Sequence, residues 1–600
     1  MATSRLSTCR YRDGEDMTGR SMRYAAGFRF ALMVVMALTA GCGRERRSGV
    51  PTVAEPAGGS RSVAVTATEH PPHRLTTSDS ANTTLPGGEA TASELAATNA
   101  LDPNALDPNA LDPNALATAP PIPNSDDEPD SRSPLARKQF DGWSTPSVVL
   151  LVTGQQHGYI EPCGCTTLAN QKGGLARRHT LVKKMTARGW PIIGLDAGNQ
   201  VRRFGRQAEI KFHMTLEGLK TIGYQAIVLG ADDLRLSVDE LVAATVPLAG
   251  EATPFLCANA AVLDWSLMPD HKLIEQGGKK IGVTAIVGER WQEDVSRDDV
   301  LFKDPAEGLR SVMPKLQAAN CDMLVLLAHT SVAESKKLAR EFPQFHVVVS
   351  AGAPGDSTDP LYQPEVIDGT KAMFVQSGTK GMFAGVIGVF DEEETPLRYQ
   401  RVPLDDTFKD SPEMLKLLKS YQNQLETVGL SGLGLRSVPH PSGNKFTGSE
   451  KCGECHTEAF ASWEQTPHAS ATDSLANPVE RAEIQRHFDP ECLSCHVTGW
   501  NPKRFFPYTS GYLDLEKSIE LHGNGCENCH GPGSAHVDAE EGTTAVDEST
   551  LEALRKSMRL PIDAAEKKCV ECHDIDNSPD FFEKDAFQRY WKDVEHKGLD

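Results

Sequence analysis

Four Cys-x-x-Cys-His pentads fall within residues 449–600 of this 600-residue chain, and they limit what that part can fold into. They read CGECH at 452–456 (pentad 1), CLSCH at 492–496 (pentad 2), CENCH at 526–530 (pentad 3) and CVECH at 569–573 (pentad 4). In such a pentad both thiols bind the vinyl groups of one haem, and the histidine is its proximal iron ligand. The sequence therefore predicts four covalent haem c groups. Their thiols are Cys452, Cys455, Cys492, Cys495, Cys526, Cys529, Cys569 and Cys572, and their proximal ligands are His456, His496, His530 and His573.

Zinc is the alternative to haem, because paired Cys-x-x-Cys motifs also build tetrahedral metal sites. Zinc explains the cysteines but not the histidine in the fifth position of every pentad. Haem also explains the composition, since 39% hydrophobic and 6% aromatic residues are low for a chain packed by its side chains alone. We therefore predict a mostly α-helical, haem-cored domain over residues 449–600.

The distal iron ligands have few candidates in this domain. Its only methionine is Met558, so at most one haem could have His/Met ligation. The histidines outside the pentads are His468, His487, His522, His536 and His596. Mostly bis-His ligation follows, and without an axial methionine the reduction potentials should be low.

These segments also resemble the tetrahaem cytochromes c of nitrification. The resemblance rests on GSEKCGECH…TPHA, DPECLSCHVTGW, GCENCHGPGSAH and the final CVECH…YW…H. It implies closely packed haems that pass electrons along a chain, with His468, His536 and His596 at distal positions. His487 and His522 match less well, and related carriers can leave one iron five-coordinate. The Cys-x-x-Cys-Lys motif of one class of nitrite reductase is absent from the sequence.

From about residue 146 the pattern is that of an α/β fold, because apolar runs of strand length alternate with helical stretches. The predicted strands are 147–153, 191–197, 224–230, 254–259, 280–287, 322–328 and 346–351, and the predicted helices 174–188, 206–222, 305–319, 332–342 and 411–428. Functional loops of such folds lie at the carboxyl ends of the strands.

Those strand ends resemble the calcineurin-like metallophosphoesterase domain of bacterial 5′-nucleotidases, an α/β sandwich. The resemblance implies a metal site, but Gln155 replaces the Asp two residues before His157, and Asn199 replaces a bridging Asp. The third loop has GADD, with Asp232, in place of the family's Gly-Asn-His-Glu; the fourth keeps His329, and the last, SAGAP, has no histidine. Two divalent cations need several anionic ligands with a bridging oxygen. We therefore expect a vestigial site without a divalent metal, in a domain that serves for binding or docking.

The segment EPCGC adds Cys163 and Cys165 just before a GGLARR helix start. Two thiols so close, with His157 upstream, could bind a soft metal or take part in redox exchange. The alternative is a structural disulfide, with Cys257 or Cys321 as a partner for one of them.

The N-terminal segment has the features of an export signal. Arg20, Arg23 and Arg29 precede a short apolar run at 30–38, and the sequence LTAGC resembles a lipobox that ends at Cys42. Residues 1–42 are therefore predicted to be a lipoprotein-type signal, with Cys42 lipidated. Residues 43–145 are rich in Ala, Thr and Pro and repeat NALDP, which predicts a disordered linker. No apolar run approaches the roughly 20 residues of a membrane-spanning helix.

The predicted domains are thus a phosphoesterase-like domain at 146–428, a linker at 429–448 and a tetrahaem domain at 449–600. The 61 basic and 82 acidic residues give a net charge of −21, which is unfavourable for binding nucleic acid. The leading hypothesis is an exported, periplasmic or cell-envelope electron carrier, anchored by lipid and served by redox partner proteins. The alternatives are a redox enzyme acting on a small nitrogen or sulfur compound at an open haem, and a residual phosphoester hydrolase.

Overall fold

The computed structural model describes residues 139–163, 171–246, 252–295, 297–352, 362–391, 396–479 and 483–597. All of these residues belong to one unit of the chain, Ala100–Asp600. The predicted export signal with Cys42, the predicted linker up to residue 138, and Cys165 lie outside the described residues. Among the described residues, no helix has the length and apolar character needed to cross a bilayer.

Residues 139–432, here called the middle region, form an α/β structure. Its strands are β1 Val148–Thr153, β2 Pro162–Cys163, β3 Lys172–Gly173, β4 Ile192–Asp196, β5 Tyr224–Ile227, β6 Ala260–Val262, β7 His271–Gln276, β8 Lys279–Val287, β9 Val300–Phe302, β10 Met323–His329, β11 Val347–Ser350, β12 Glu365–Val366, β13 Met373–Gln376, β14 Phe383–Val389 and β15 Leu397–Pro403. Its helices are α1 Leu175–Thr186, α2 Arg206–Ile222, α3 Val238–Thr245, α4 Glu289–Val295, α5 Pro305–Ala318, α6 Val332–Glu341 and α7 Pro412–Gly432.

Two larger sheets organise this region. The first has the order β15-β14-β1-β4-β5, in which β1, β4 and β5 run parallel and β14 runs antiparallel to β1. The second has the order β12-β13-β11-β10-β8-β7, with β8, β10, β11 and β13 parallel. The loops that follow β1, β4 and β5, together with His329 at the end of β10, carry the middle-region residues singled out from the sequence, and they meet at the carboxyl ends of these strands.

The packing of β10 shows how the second sheet is buried on both faces. Val325 and Leu327 belong to an apolar cluster that also contains residues of the first sheet and of α1, α2 and α7. Leu324 and Leu326, which point the other way along the strand, pack in a second cluster with α5 and α6. A strand buried on both faces is continuously apolar, and this pattern in the sequence predicted the strand.

Most predicted strands are confirmed, but the strand at 254–259 is wrong. Phe255 makes only an isolated bridge to Ile227, and the next strand begins at Ala260. The Leu256 N–H donates to Ile227 O in the first sheet, whereas the Ala258 N–H donates to Ala285 O in the second. The segment is extended because it crosses from one sheet to the other, so its hydrogen bonds form no continuous ladder.

Residues 433–597, here called the C-terminal region, are mainly short helices. These are α8 Ser449–Gly453, α9 Thr457–Glu464, α10 Ala471–Ala476, α11 Pro490–His496, α12 Cys526–His530, α13 Ser534–Glu540, α14 Glu548–Ser557, α15 Ile562–Cys569 and α16 Ala586–Val594, with a hairpin of β16 Trp500–Asn501 and β17 Phe506–Pro507. The largest apolar cluster found here has six buried residues, Leu475, Leu493, Val497, Trp500, Tyr512 and Leu521. So small a side-chain core fits a region whose interior is completed by a large apolar cofactor.

Candidate haem centre and the middle-region loops

Each pentad lies at a helical turn that presents its three side chains together. Asp489 caps α11 by accepting a hydrogen bond from the Glu491 N–H, and pentad 2 forms the end of that helix. In pentad 1 the His456 N–H donates to Cys452 O over 3.0 Å, and pentad 4 has the equivalent bond from His573 to Cys569 O at 2.9 Å. Helical spacing puts positions i, i+3 and i+4 on one face, as two thioethers and an axial ligand to one haem require.

Three pentad histidines lie opposite a histidine from outside the pentads. The ring centroids are 6.3 Å apart for His456 and His536, and 6.0 Å apart for His573 and His468. The third pair, His530 and His596, is separated by 5.8 Å. An iron bound by one nitrogen on each side, at about 2 Å each, puts the two ring centroids about 6 Å apart. The three pairs therefore fit bis-His ligation.

Hydrogen bonds at Nδ1 orient the pentad histidines. His530 Nδ1 lies 2.7 Å from Met558 O, and His496 Nδ1 lies 2.9 Å from Ala471 O. A carbonyl can only accept, so Nδ1 carries the proton and Nε2 keeps the lone pair that a metal needs. The same Met558 whose sulfur was a candidate ligand thus contributes its backbone oxygen.

His496 of pentad 2 differs from the other three, because it has no facing imidazole among the residues that the structure describes. Of the remaining candidates, His522 has its ring against Tyr512, and its Nε2 lies 3.1 Å from Leu515 O. His487 packs against Phe488. The structure brings neither of them to the ring of a pentad histidine.

The order of the pentads in space differs from their order along the chain. Cys452 of pentad 1 lies beside Cys526 of pentad 3, where helices α8 and α12 are in contact. Cys495 of pentad 2 lies beside Cys572 of pentad 4, and Asn524 Nδ2 lies 2.8 Å from Cys495 O and 3.9 Å from Cys572 Sγ. Cys529 interacts electrostatically with the first cysteine of pentad 4. By these cysteine contacts the pentads follow one another as 1, 3, 4 and 2. Pentad 3 also contacts the residue after pentad 2, since Asn528 Nδ2 donates to Val497 O over 2.9 Å.

In the middle region, the loops after β1, β4 and β5 are joined by side-chain amides. Asn199 Nδ2 donates to Gln155 Oε1 and to Asp232 Oδ2, both over 3.2 Å, and its Oδ1 accepts from the Asp232 N–H. A Cβ atom at Gly230 would lie 2.1 Å from Asn199 Oδ1, so only glycine fits there. The amide of Asn199 thus links the residues around the position where the resembling family has a bridging carboxylate.

His329 is held by two backbone groups. Its Nε2 accepts from the Ala231 N–H over 3.0 Å, so Nδ1 carries the proton and donates to Ala197 O over 2.7 Å. Burial lowers the pKa of His329 to about 4, which keeps the imidazole neutral. With both nitrogens engaged, neither is directed at a metal in this conformation.

His157 is buried beside positive charge. Burial, followed by Arg202 and Lys380, lowers the pKa of His157 to about 3, and its Nδ1 lies 3.4 Å from Thr379 Oγ1. Gln155, His157, Asn199 and Lys380 all have φ between 53° and 60°. Such left-handed backbone is rare outside glycine and concentrates at functional loops. Among the described residues, no group of three or more His, Cys, Asp or Glu side chains is arranged to hold a metal ion.

Sequence reasoning missed the residue that holds these loops together. Asp233 is fully buried, and its carboxylate accepts hydrogen bonds from four backbone N–H groups. The donors are Asn199, Gln200, Val201 and Gly230, at 2.7 to 3.1 Å. Burial raises the pKa of Asp233 to about 8, against the lowering effect of the backbone N–H groups. Asp233 is the second aspartate of the sequence GADD, but only the first, Asp232, was predicted to belong to a vestigial metal site.

The C-terminal region packs on the middle region through charged and polar contacts around pentad 2. Glu491 binds Lys211 Nζ at 2.7 Å and Arg203 Nη1 at 3.0 Å. The preceding acid, Asp489, accepts from Gln207 Nε2 over 2.8 Å and from Gln422 Nε2 over 2.9 Å. Glu491 directly precedes Cys492 and Asp489 lies three residues before it, so the middle region contacts the segment that leads into the pentad.

Two further ion pairs join the regions. Lys380, whose N–H donates to Gln155 O, pairs with Asp576, three residues after the histidine of pentad 4. Arg486 forms a bidentate ion pair with Glu161 of the EPCGC segment, and the Arg486 side chain is only 7% exposed. Lys380 and Glu161 of the middle region thus contact the segments next to pentads 4 and 2 respectively.

The suggested disulfide with Cys257 or Cys321 is wrong, because both are free thiols. Cys257 is buried, with Sγ 3.4 Å from Asn259 Oδ1 and 3.7 Å from Ala285 O. Burial raises the pKa of Cys257 to about 11, which makes it an inert core thiol.

Comparisons with known proteins confirm both resemblances. Residues 451–531 match the family model described as cytochrome c554 and c-prime. Cytochrome c-554 of Nitrosomonas europaea is 32% identical over 140 residues, covering 21% of this chain and 57% of that protein. Haem c is the cofactor that this family match implies for the C-terminal region.

The middle region is similar to phosphohydrolases. The apyrase of Aedes aegypti is 24% identical over 267 residues, covering 40% of this chain and 48% of that protein. Among solved structures, the 5′-nucleotidase precursor from Thermus thermophilus is 20% identical with a TM-score of 0.41, covering 47% of this chain and 59% of that one. The chain spans about half the length of the curated relatives that it matches.

Proposed function

We propose that this protein is a tetrahaem c-type electron carrier. In this proposal, each pentad binds one haem c through its two thiols and its histidine. His536, His596 and His468 are the distal ligands at pentads 1, 3 and 4 respectively. The observation that carries the proposal is the set of three facing histidine pairs, with ring centroids 5.8 to 6.3 Å apart.

The chain's own residues would hold and orient the cofactors. Haem supplies reversible one-electron chemistry when bound. The carbonyl oxygens of Met558 and Ala471 fix the tautomer and orientation of His530 and His496. Burial, together with His573 and His496, lowers the pKa of His468 to about 4, which keeps this imidazole neutral and able to bind a metal. The contacts between pentads support electron transfer in the spatial order 1, 3, 4, 2.

The proposed location is the periplasm or cell envelope, reached by the export signal at 1–42 and retained by a lipid on Cys42. Covalent haem attachment through paired thiols fits an exported chain. The proposed partners are redox proteins that give and take electrons. The middle region would serve as a docking scaffold for the haem region, which is supported by the ion pairs of Glu491 and Asp576.

A second candidate function is reduction or oxidation of a small nitrogen or sulfur compound at pentad 2. It rests on one observation, that His496 lacks a facing imidazole among the described residues, which would leave a coordination position for a ligand. Phosphoester hydrolysis has less support, because both nitrogens of His329 are hydrogen bonded to backbone groups.

The test uses the full haem-loaded chain. Haem content should equal four per chain, and a redox titration should resolve several low-potential haems. A sample with fewer than two redox-active haems would refute the carrier. A carbon monoxide difference spectrum of the reduced protein then separates the two candidates. A signal from about one haem in four supports the open site at pentad 2, and its absence supports a carrier with closed irons.

A further inference from the structure

Positive side chains of the middle region meet the haem-binding segments at pentads 2 and 4. Arg203 and Lys211 contact Glu491, directly before Cys492 of pentad 2. Lys380 contacts Asp576, which follows pentad 4. These are the pentads at one end of the spatial order, and the cations come from a part of the chain more than 100 residues away in sequence.

The cations also act beyond their immediate partners. Arg203 interacts electrostatically with Cys495 of pentad 2 and with Asp574, which follows the histidine of pentad 4. Lys380 likewise interacts with Asp574. The guanidinium of Arg203 also lies over the Phe505 ring, with 3.5 Å between Cζ and the ring centroid. This contact fixes Arg203 at the boundary of the two regions.

We propose that Arg203 and Lys380 tune the reduction potentials of the haems at pentads 2 and 4. The proposal rests on the proposed function, because it requires haems at these pentads. Reduction adds one electron to a haem and makes or breaks no bond, so nearby positive charge favours the reduced form. Lys380 is 15% exposed and Asp576 24% exposed, so solvent screens their charges only in part. The middle region, beyond supporting the haem region, would thus be part of its redox centre.

The alternative is that these residues only position the two regions. The effect of charge can be separated from the effect of position, because Lys380 and Asp576 carry opposite charges. Neutralising Lys380 removes positive charge, and neutralising Asp576 removes negative charge. A purely positional role predicts the same response to both changes, since each breaks the same contact.

The test is a spectroelectrochemical titration of the full haem-loaded chain with Lys380→Gln, Asp576→Asn and the double variant. Lys380→Gln should shift the oxidised-to-reduced ratio at fixed potential towards the oxidised form about threefold to tenfold. This equals about 28 to 59 mV for one electron and should affect the haems of pentads 2 and 4. Asp576→Asn should shift the ratio in the opposite direction, and the double variant should return close to wild type.

The matched control is Lys315→Gln with Asp270→Asn, an ion pair within the middle region, which should change no potential. If Lys380→Gln does not fold, Arg203→Gln and Arg203→Lys replace it, because only the first removes charge. Shifts of the same sign in both single variants, or equal effects of Arg203→Gln and Arg203→Lys, would overturn the inference. A wild-type chain with no redox-active haem would instead refute the proposed function.

Discussion

The ion pair of Glu161 and Arg486 should be a main energetic link between the two regions. Arg486 Nε donates to Glu161 Oε2 over 3.0 Å, and a second bond joins Arg486 Nη2 to Glu161 Oε1. The side chains are 7% and 20% exposed. Glu161→Gln leaves the guanidinium buried without its counter-charge, and breaking a buried pair in this way costs about 3 to 5 kcal/mol. Because Glu161 keeps some contact with water, we expect the lower end, about 3 kcal/mol.

The assay is denaturant unfolding of the haem-loaded chain, followed by haem absorbance and by far-ultraviolet circular dichroism. Glu161→Gln, Arg486→Met and the double variant form a cycle that measures the coupling between the two residues. We expect each single variant to lose about 3 kcal/mol, and the double variant to lose clearly less than the sum.

An exposed ion pair within the middle region provides the control. Lys183 and Glu413 are 47% and 48% exposed, so Glu413→Gln should cost much less stability than Glu161→Gln. Additive losses at Glu161 and Arg486, or a loss at Glu161 no larger than that at Glu413, would refute the assignment of this pair as a buried interregional link.

Three further predictions concern the site residues. The pKa of His329 lies below its unfolded value, so His329 stabilises the fold above pH 6.5 and this contribution is lost as the pH falls towards 4. Between pH 7 and pH 5 the unfolding free energy of His329→Gln should fall about 2 kcal/mol less than that of wild type; equal slopes would contradict this. Asn199→Asp sets a carboxylate against Gln155 Oε1 and Asp232 and should destabilise the chain by about 1 to 3 kcal/mol. Recovery of its melting temperature with Mn²⁺ would argue for a retained metal site. His536→Ala should add about one carbon monoxide-binding haem per chain relative to wild type, whereas an unchanged spectrum would exclude His536 as a ligand.

The sequence predicted the strands of the middle region because burial on both faces leaves continuous apolar runs, as in β10. It failed at residues 254–259, where an equally apolar run crosses between sheets. The composition of a segment does not determine which carbonyl groups accept hydrogen bonds from its backbone N–H groups. The hydrogen bonds of Leu256 and Ala258 to different sheets were therefore not predictable.

For the candidate sites, the sequence predicted the haem-attachment residues but not which distant residues face them. The pentads fix thiols and proximal histidines by spacing alone, whereas a facing histidine comes from a distant part of the chain. His536 and His456 are 80 positions apart, so only the fold brings them together. The role of Asp233 was likewise hidden, because a buried carboxylate that gathers backbone N–H groups looks in sequence like any metal-binding aspartate.

The spatial order of the pentads has a consequence for shortened forms of the chain. In the cysteine contacts between pentads, pentad 2 is joined to the others through pentad 4, where Cys495 lies beside Cys572. A chain ending after pentad 3 would therefore keep the contact between pentads 1 and 3 but lose the cysteine neighbour of pentad 2, which would remain joined to pentad 3 by the hydrogen bond from Asn528 Nδ2 to Val497 O. Loss of the last motif would therefore remove an inner step of the proposed electron-transfer path, although this motif is the last one along the chain.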